Sequence, residues 1–169
     1  MSILFLVVSS MLLMISCSSF PGTQKKVKTR LLGQWECSVE NGRHDGKYTQ
    51  TYFRDGSYSL SGILQQADSI NGEKFKIRHL FSARGEWSIE HDGMLKQVTT
   101  KREFQNLTNV PGLTYQQNIE ARKFIDSEMG FDKLGIGQSS FYKIVFKSET
   151  EILSEYEGGG NKESCHKLG

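Results

Sequence analysis

Three Cys and four His are the side chains of this 169-residue chain with the widest chemistry, since they can act as nucleophiles, acids, bases or metal ligands. The histidines are His44, His79, His91 and His166. None of the seven stands at a spacing typical of a metal site, and the sequence has no Gly-x-Ser-x-Gly or Gly-x-x-x-x-Gly-Lys motif. We therefore expect no catalytic residues, no metal ligands and no cofactor, and we expect that the protein is not an enzyme.

His79 is the titratable side chain whose position suggests contact with a ligand. Apolar and polar side chains alternate over residues 75–89, which places His79 on the same face as Phe81 and Trp87. If that face lines a cavity, His79 supplies the polar contact that orients a bound molecule, and the two aromatic rings supply apolar contacts. A buried histidine whose hydrogen bonds are satisfied within the protein fits the same pattern, so both interpretations stay open.

The alternation over residues 75–89 is a strand pattern, because successive side chains of a β-strand point to opposite faces. Turn signals such as Asp55-Gly56 and Asp92-Gly93 separate further segments of the same kind. Gly85 lies inside the long strand, where a residue without a side chain allows the bend that barrel closure needs. The sequence predicts an all-β fold of about eight strands, either an antiparallel up-and-down barrel or a strongly curved sheet.

One segment departs from the strand pattern. Residues 115–129 contain no Gly or Pro, follow Thr114 as a candidate N-cap, and place Ala121 and Ile125 at helical spacing. We expect a helix packed on the sheet. It is either a lid over a cavity or a plug that buries otherwise exposed apolar surface.

The chain begins with an apolar segment that ends at Cys17. Residues 1–16 carry no charge, and their apolar part is too short to span a bilayer but fits the hydrophobic region of a secretory signal. Leu13, Ser16 and Cys17 resemble the lipobox of bacterial lipoproteins. The resemblance implies a signal peptide over residues 1–16, a diacylglycerol and an acyl chain such as palmitate on Cys17, and membrane attachment through these chains.

The residues after Cys17 bear on where the protein goes. Ser18 stands where enteric lipoproteins of the inner membrane carry Asp, so the resemblance implies the periplasmic face of the outer membrane. A plain signal peptide or an uncleaved anchor is the alternative. Residues 17–30 combine Pro, Gly and polar residues with a basic cluster, which predicts a flexible lipidated tether.

Cys37 and Cys165 remain as an even pair if Cys17 is acylated. In an oxidising compartment we expect such a pair to form a disulfide, with two free thiols as the alternative. Cys37 lies near the start of the first predicted strand and Cys165 in the last. Because these strands are neighbours when a sheet closes into a barrel, the disulfide and the barrel topology support one another.

Two short segments resemble the lipocalin-like, calycin-type β-barrel domains of bacterial envelope proteins. Gly33 and Trp35 match the Gly-x-Trp of the first lipocalin strand, and Lys167 stands where a late strand supplies the cation beside that Trp. The resemblance implies a lipocalin-like domain over residues 31–169, with Trp35 packed across the closed end of the barrel.

A net charge of +2 gives no reason to expect a nucleic-acid partner. The aromatic-rich strand and the lipocalin-like residues favour a lipid-anchored envelope protein whose barrel binds a small apolar or amphipathic ligand. The alternative is a protein-interaction lipoprotein with a filled barrel, such as an assembly accessory or an inhibitor of an envelope enzyme. Open space inside the barrel would favour the ligand, whereas a filled interior would favour the protein partner.

Overall fold

The computed structural model describes residues 21–40, 44–70, 72–90, 92–129, 135–159 and 162–169. The strands are β1 (Gly33–Glu40), β2 (His44–Tyr52), β3 (Ser57–Ile70), β4 (Glu73–Ile89), β5 (Leu95–Asn106), β6 (Ser139–Phe146), β7 (Glu151–Tyr156) and β8 (Lys162–Lys167), and the helices are α1 (Pro21–Leu31) and α2 (Tyr115–Met129). The strands form a closed antiparallel barrel in chain order, because β1 pairs with β8 as well as with β2. The all-β barrel with a helix at 115–129 is confirmed.

Side chains alternate between the interior and the outside along β4, as the sequence pattern predicted. The buried positions are Ile77, His79, Ala83, Gly85 and Trp87, and exposed residues separate most of them. The pairing of β4 with β5 shifts register between Arg84 and Gly85. A Cβ atom on Gly85 would overlap the carbonyl oxygen of Val98, so only glycine fits this close approach. The predicted irregularity at Gly85 is confirmed.

The disulfide lies at the seam that closes the barrel. Cys37 and Cys165 are direct register partners on β1 and β8, and a disulfide joins them with their Cα atoms 4.0 Å apart. The predicted disulfide is therefore confirmed. It links residues 128 positions apart, for which the chain-entropy model gives at most about 5 kcal/mol of stabilisation.

Helix α1 crosses one end of the barrel, which we call the closed end. The Gln24 side chain donates a hydrogen bond to the carbonyl of Glu90 at 3.0 Å, and the Lys28 ammonium lies 5.4 Å from the centre of the Trp87 ring. The Arg30 guanidinium lies 4.0 Å from the centre of another ring at this end, that of Phe146. Residues 21–30 are therefore helical and not the flexible tether that the sequence predicts, because two of their basic side chains, those of Lys28 and Arg30, stack on aromatic rings of the barrel.

The C-terminal end of α1 is held by the residues that carry the lipocalin resemblance. The Trp35 indole donates to the Leu31 carbonyl at 2.8 Å, and the Lys167 ammonium donates to the Arg30 carbonyl at 3.0 Å. The same ammonium lies 5.2 Å from the centre of the Trp35 ring. These bonds satisfy carbonyls that have no partner within the helix. Gly33 has a φ of +111°, and a Cβ there would lie 3.2 Å from the Lys167 side chain.

Helix α2 lies at the opposite end of the barrel. It begins with a capping box, in which Gln117 receives hydrogen bonds from Thr114 and returns one to the Thr114 hydroxyl. Asn106, an inward-facing residue of β5, donates from its side-chain amide to the Asp126 carboxylate at 2.9 Å. Arg122 donates to the Thr108 carbonyl at 2.6 Å. Polar contacts therefore contribute to attaching α2 to the ends of β4 and β5.

Replacing Lys167 by Met tests how α1 is held. The variant keeps an apolar stem but loses the ammonium, so we expect the free energy of unfolding to fall by about 1–2 kcal/mol. We also expect amide hydrogen exchange in α1 to accelerate. Lys162→Met, an exposed site on the same strand, is the matched control. Unchanged exchange in α1 in the Lys167→Met variant would contradict this account.

Candidate functional site

The inward-facing side chains are less buried in the half of the barrel away from α1 than at the closed end. At the closed end the inward-facing side chains are almost fully buried, among them Trp35, Tyr52, Trp87, Leu95 and Ile152. Toward the α2 end, several inward-facing side chains are only partly buried. A side chain that points inward and is still partly exposed borders space that solvent can reach. We call this space the inner cup, and its walls include Val39, Leu60, Phe81, Phe104, Tyr142 and Glu163.

Glu163 brings a carboxyl group into the inner cup. It pairs with Val39 on β1 and lies two residues from Cys165, on the same face of β8. Burial raises the pKa of Glu163, and hydrogen bonds from Tyr48 and Ser154 act in the opposite direction. Among the described residues, no Lys, Arg or His side chain forms an ion pair with this carboxyl group. A partly buried carboxylate without a counter-ion favours binding of a proton or of an external cation.

Three tyrosines surround this carboxyl group. Burial raises the pKa of Tyr48, Tyr52 and Tyr142, and the negative charge of Glu163 raises each of them further. The phenols therefore remain protonated at physiological pH. They offer hydrogen-bonding hydroxyl groups and neutral aromatic rings to whatever occupies the space near Glu163.

Gln50 adds a buried amide without a hydrogen-bond partner. It lies on β2 between Tyr48 and Tyr52, on the same face, and is 5% exposed. Its Nε2 atom has no hydrogen-bond partner in the part of the chain that the structure describes. The neighbouring Gln97 amide, in contrast, donates to the Tyr52 hydroxyl at 2.9 Å. A buried donor without an acceptor raises the free energy of the folded protein. A bound molecule or an ordered water that offers an acceptor to the Gln50 amide would remove this cost.

The three residues expected to contact a ligand share one face of β4 but do not form one site. His79 Nε2 lies 3.3 Å from the Asp126 carboxylate on α2. Phe81 lines the inner cup, where its ring lies 6.0 Å from that of Tyr48. Trp87 lies at the closed end, and its indole donates to the Phe53 carbonyl at 3.2 Å. A strand rises about 3.3 Å per residue, which separates His79 and Trp87 by roughly 26 Å.

Sequence reasoning missed Glu163 and Gln50, although a signal for each was present. Glu163, Cys165 and Lys167 alternate along the last strand, so an inward-facing Cys165 implies that Glu163 also faces inward. Gln50 alternates in the same way with Tyr48 and Tyr52. In both strands the signal is a polar residue at a position where the alternation predicts an inward-facing side chain.

Concave regions on the outside of the barrel have fewer features of a binding site. One of about 220 Å³ is bordered by outward-facing polar side chains of β3, β4 and β5, including Ser61, Arg84 and Glu103. Another, of about 570 Å³, lies beside the tip of the β3–β4 hairpin. Over the described ranges, the buried polar atoms without partners are Arg30 Nε and Gln50 Nε2, and neither residue borders these regions.

Across the described residues, no three His, Cys, Asp or Glu side chains come close enough to hold a metal ion. In the same part of the chain, none of the helices has the length and apolar character needed to cross a membrane. Cys17 and the signal segment at 1–16 lie outside the described residues.

No protein-family model matches the chain, and no curated protein matches it significantly. The class of protein is therefore defined by geometry. It is a closed eight-stranded antiparallel β-barrel with one end filled beneath a helix. The other end is bordered by a second helix, and several inward-facing side chains in that half of the barrel are only partly buried.

The raised pKa of Glu163 predicts a pH-dependent stability. In the unfolded chain the carboxyl group titrates near its ordinary pKa of 4.5, and in the fold its pKa is higher. The stability that depends on protonated Glu163 is thus present below about pH 4.5 and is lost as the pH rises through the folded pKa. We expect the change in melting temperature caused by Glu163→Gln to be more favourable at pH 7 than at pH 4.

Glu86→Gln is the matched control, because Glu86 is exposed on the outer face of β4. Thermal melts followed by circular dichroism at both pH values make the comparison. A Glu163→Gln effect that is equal at pH 4 and pH 7 would show that the carboxyl group carries no folding penalty.

Proposed function

We propose that the inner cup binds a small amphipathic molecule, and that the protein is a non-catalytic, lipid-anchored binding protein of the bacterial envelope with a lipocalin-like barrel. The observation that carries the proposal is the partial exposure of inward-facing apolar side chains such as Leu60, Phe81 and Phe104. Apolar surface that faces water inside a barrel gains free energy when a ligand covers it. Glu163 and Gln50 supply the polar contacts that orient such a ligand.

The position of α2 supports a ligand over a filled interior. The helix contacts inward-facing His79 and Asn106 at the rim, yet Phe81 and Phe104 behind them stay partly exposed. Helix α2 thus borders the opening without filling the inner cup. This favours the interpretation of α2 as a lid over that of α2 as a plug.

A protein partner is the second candidate function. Tyr115 and Phe124 on α2 are 80% and 67% exposed. They are nine positions apart, and at about 100° per residue they lie on opposite sides of the helix. They therefore do not form one continuous apolar patch, and single exposed apolar residues are ordinary on protein surfaces. This surface supports a partner less well than the inner cup supports a ligand.

The ligand proposal is tested by native mass spectrometry of the full chain released from its own membranes. We expect a species that is heavier than the lipidated protein by the mass of a noncovalently bound ligand. Phe81→Gln, which alters the wall of the inner cup, should lower ligand occupancy about tenfold. Leu80→Gln, on the neighbouring outward-facing residue, should leave occupancy unchanged. A persistently bare mass in the wild type, or equal occupancy in both variants, would refute ligand binding.

The lipid anchor is part of the proposal. Only residues 18–20 separate Cys17 from the start of α1, and three extended residues reach about 10 Å. Because α1 lies across the closed end, acylation of Cys17 would hold that end near the membrane. The opening of the inner cup would then face the periplasm, where a ligand can enter.

Labelling of cells with a clickable fatty acid tests the anchor. We expect the wild-type protein to take up the label and the Cys17→Ala variant to take up none, because the lipid chains attach through this residue. Equal labelling of the two proteins would exclude acylation at Cys17.

A further inference from the structure

We propose that the molecule bound in the inner cup carries an ammonium group and that Glu163 is its counter-ion. This inference rests on the proposed function and adds the chemical class of the ligand. The proposed ligand is a small organic amine with an apolar chain. Two features near Glu163 support this class, namely the missing counter-ion and the phenol rings. A third is the partnerless amide of Gln50, which shares a face of β2 with Tyr48.

The inward-facing cations of the barrel contact other groups. Lys167 donates to the Arg30 carbonyl at the closed end. His79 contacts Asp126, and the Arg102 guanidinium lies 5.8 Å from the centre of the Phe104 ring. None of these cations forms an ion pair with Glu163 within the described part of the chain. No cation of the described residues therefore neutralises ionised Glu163, which leaves its carboxylate available to the positive charge of a ligand.

The tyrosines near Glu163 suit an ammonium group. The strand register places two of them close to Glu163. Val39 pairs with both Glu163 and Gly46, two residues before Tyr48, and Ser154 pairs with both Glu163 and Ile144, two residues after Tyr142. Neutral phenol rings attract a cation through their negatively polarised faces, most strongly where water is excluded. A bound carboxylate or phosphate would instead meet repulsion from Glu163.

The Gln50 amide adds a second chemical requirement to the ligand. Its partnerless Nε2 group is a donor, so it requires an acceptor such as a hydroxyl or carbonyl oxygen on the ligand. Leu60, Phe81 and Phe104 supply the apolar wall for the rest of the molecule. The geometry thus fits an amine that has a short apolar chain and a neutral polar oxygen.

Three probes with the same six-carbon chain separate charge from apolar contact: hexylammonium, 1-hexanol and hexanoate. They are titrated calorimetrically into the full chain in nanodiscs at pH 7, with empty nanodiscs as the background. We expect hexylammonium to bind about tenfold or more tightly than 1-hexanol, and hexanoate to bind most weakly, because a hydrogen-bonded charge pair adds affinity.

Glu163→Gln should reduce the affinity for hexylammonium to that for 1-hexanol without changing the affinity for 1-hexanol. Glu86→Gln on the outer face should change neither. Equal binding of all three probes, or tightest binding of hexanoate, would overturn the ammonium inference and leave ligand binding intact. Binding of no probe would overturn both. The order in which the wild-type protein binds the three probes tests the ammonium inference even if the Glu163→Gln variant does not fold.

Discussion

The pairing of the first strand with the last is the constraint on which the rest of the structure depends. Cys37 and Cys165 are direct partners in this pairing, and their disulfide links the two strands covalently. Closure removes the sheet edges and encloses an interior. It also fixes the direction of every second residue on β8, so that Glu163 and Lys167 must both face inward, on either side of Cys165.

These two residues explain the difference between the ends of the barrel. Lys167 lies beside Trp35 and bonds a carbonyl at the end of α1, so its charge is satisfied within the protein. Glu163 lies near the opening, where its partners in the described structure are the neutral groups of Tyr48 and Ser154. At the closed end, protein groups hold the Lys167 ammonium. At the other end, no cation of the described residues pairs with the Glu163 carboxylate.

Two inward-facing polar residues carry an energetic cost in this fold. Burial raises the pKa of Glu163, and Gln50 on β2 leaves a buried donor unsatisfied in the described structure. An apolar side chain at either position would remove the penalty. Proteins commonly retain such local conflicts at binding sites, because a ligand resolves them when it binds. The proposed ligand of the inner cup would account for both residues.

Short-range patterns of period, sterics and capping were enough to predict the alternation along β4, the irregularity at Gly85 and the helix that follows Thr114. The pairing of Cys37 with Cys165, which are 128 positions apart, was predicted from the even number of cysteines that remain after Cys17. The helix over residues 21–30 could not be predicted in this way, because the rings that hold Lys28 and Arg30 come from distant strands. A period of two predicts which face a residue takes, but the depth of that residue in the barrel depends on closure and on the helices at each end. That is why Phe81 lines the inner cup while Trp87, on the same face, lies beneath α1.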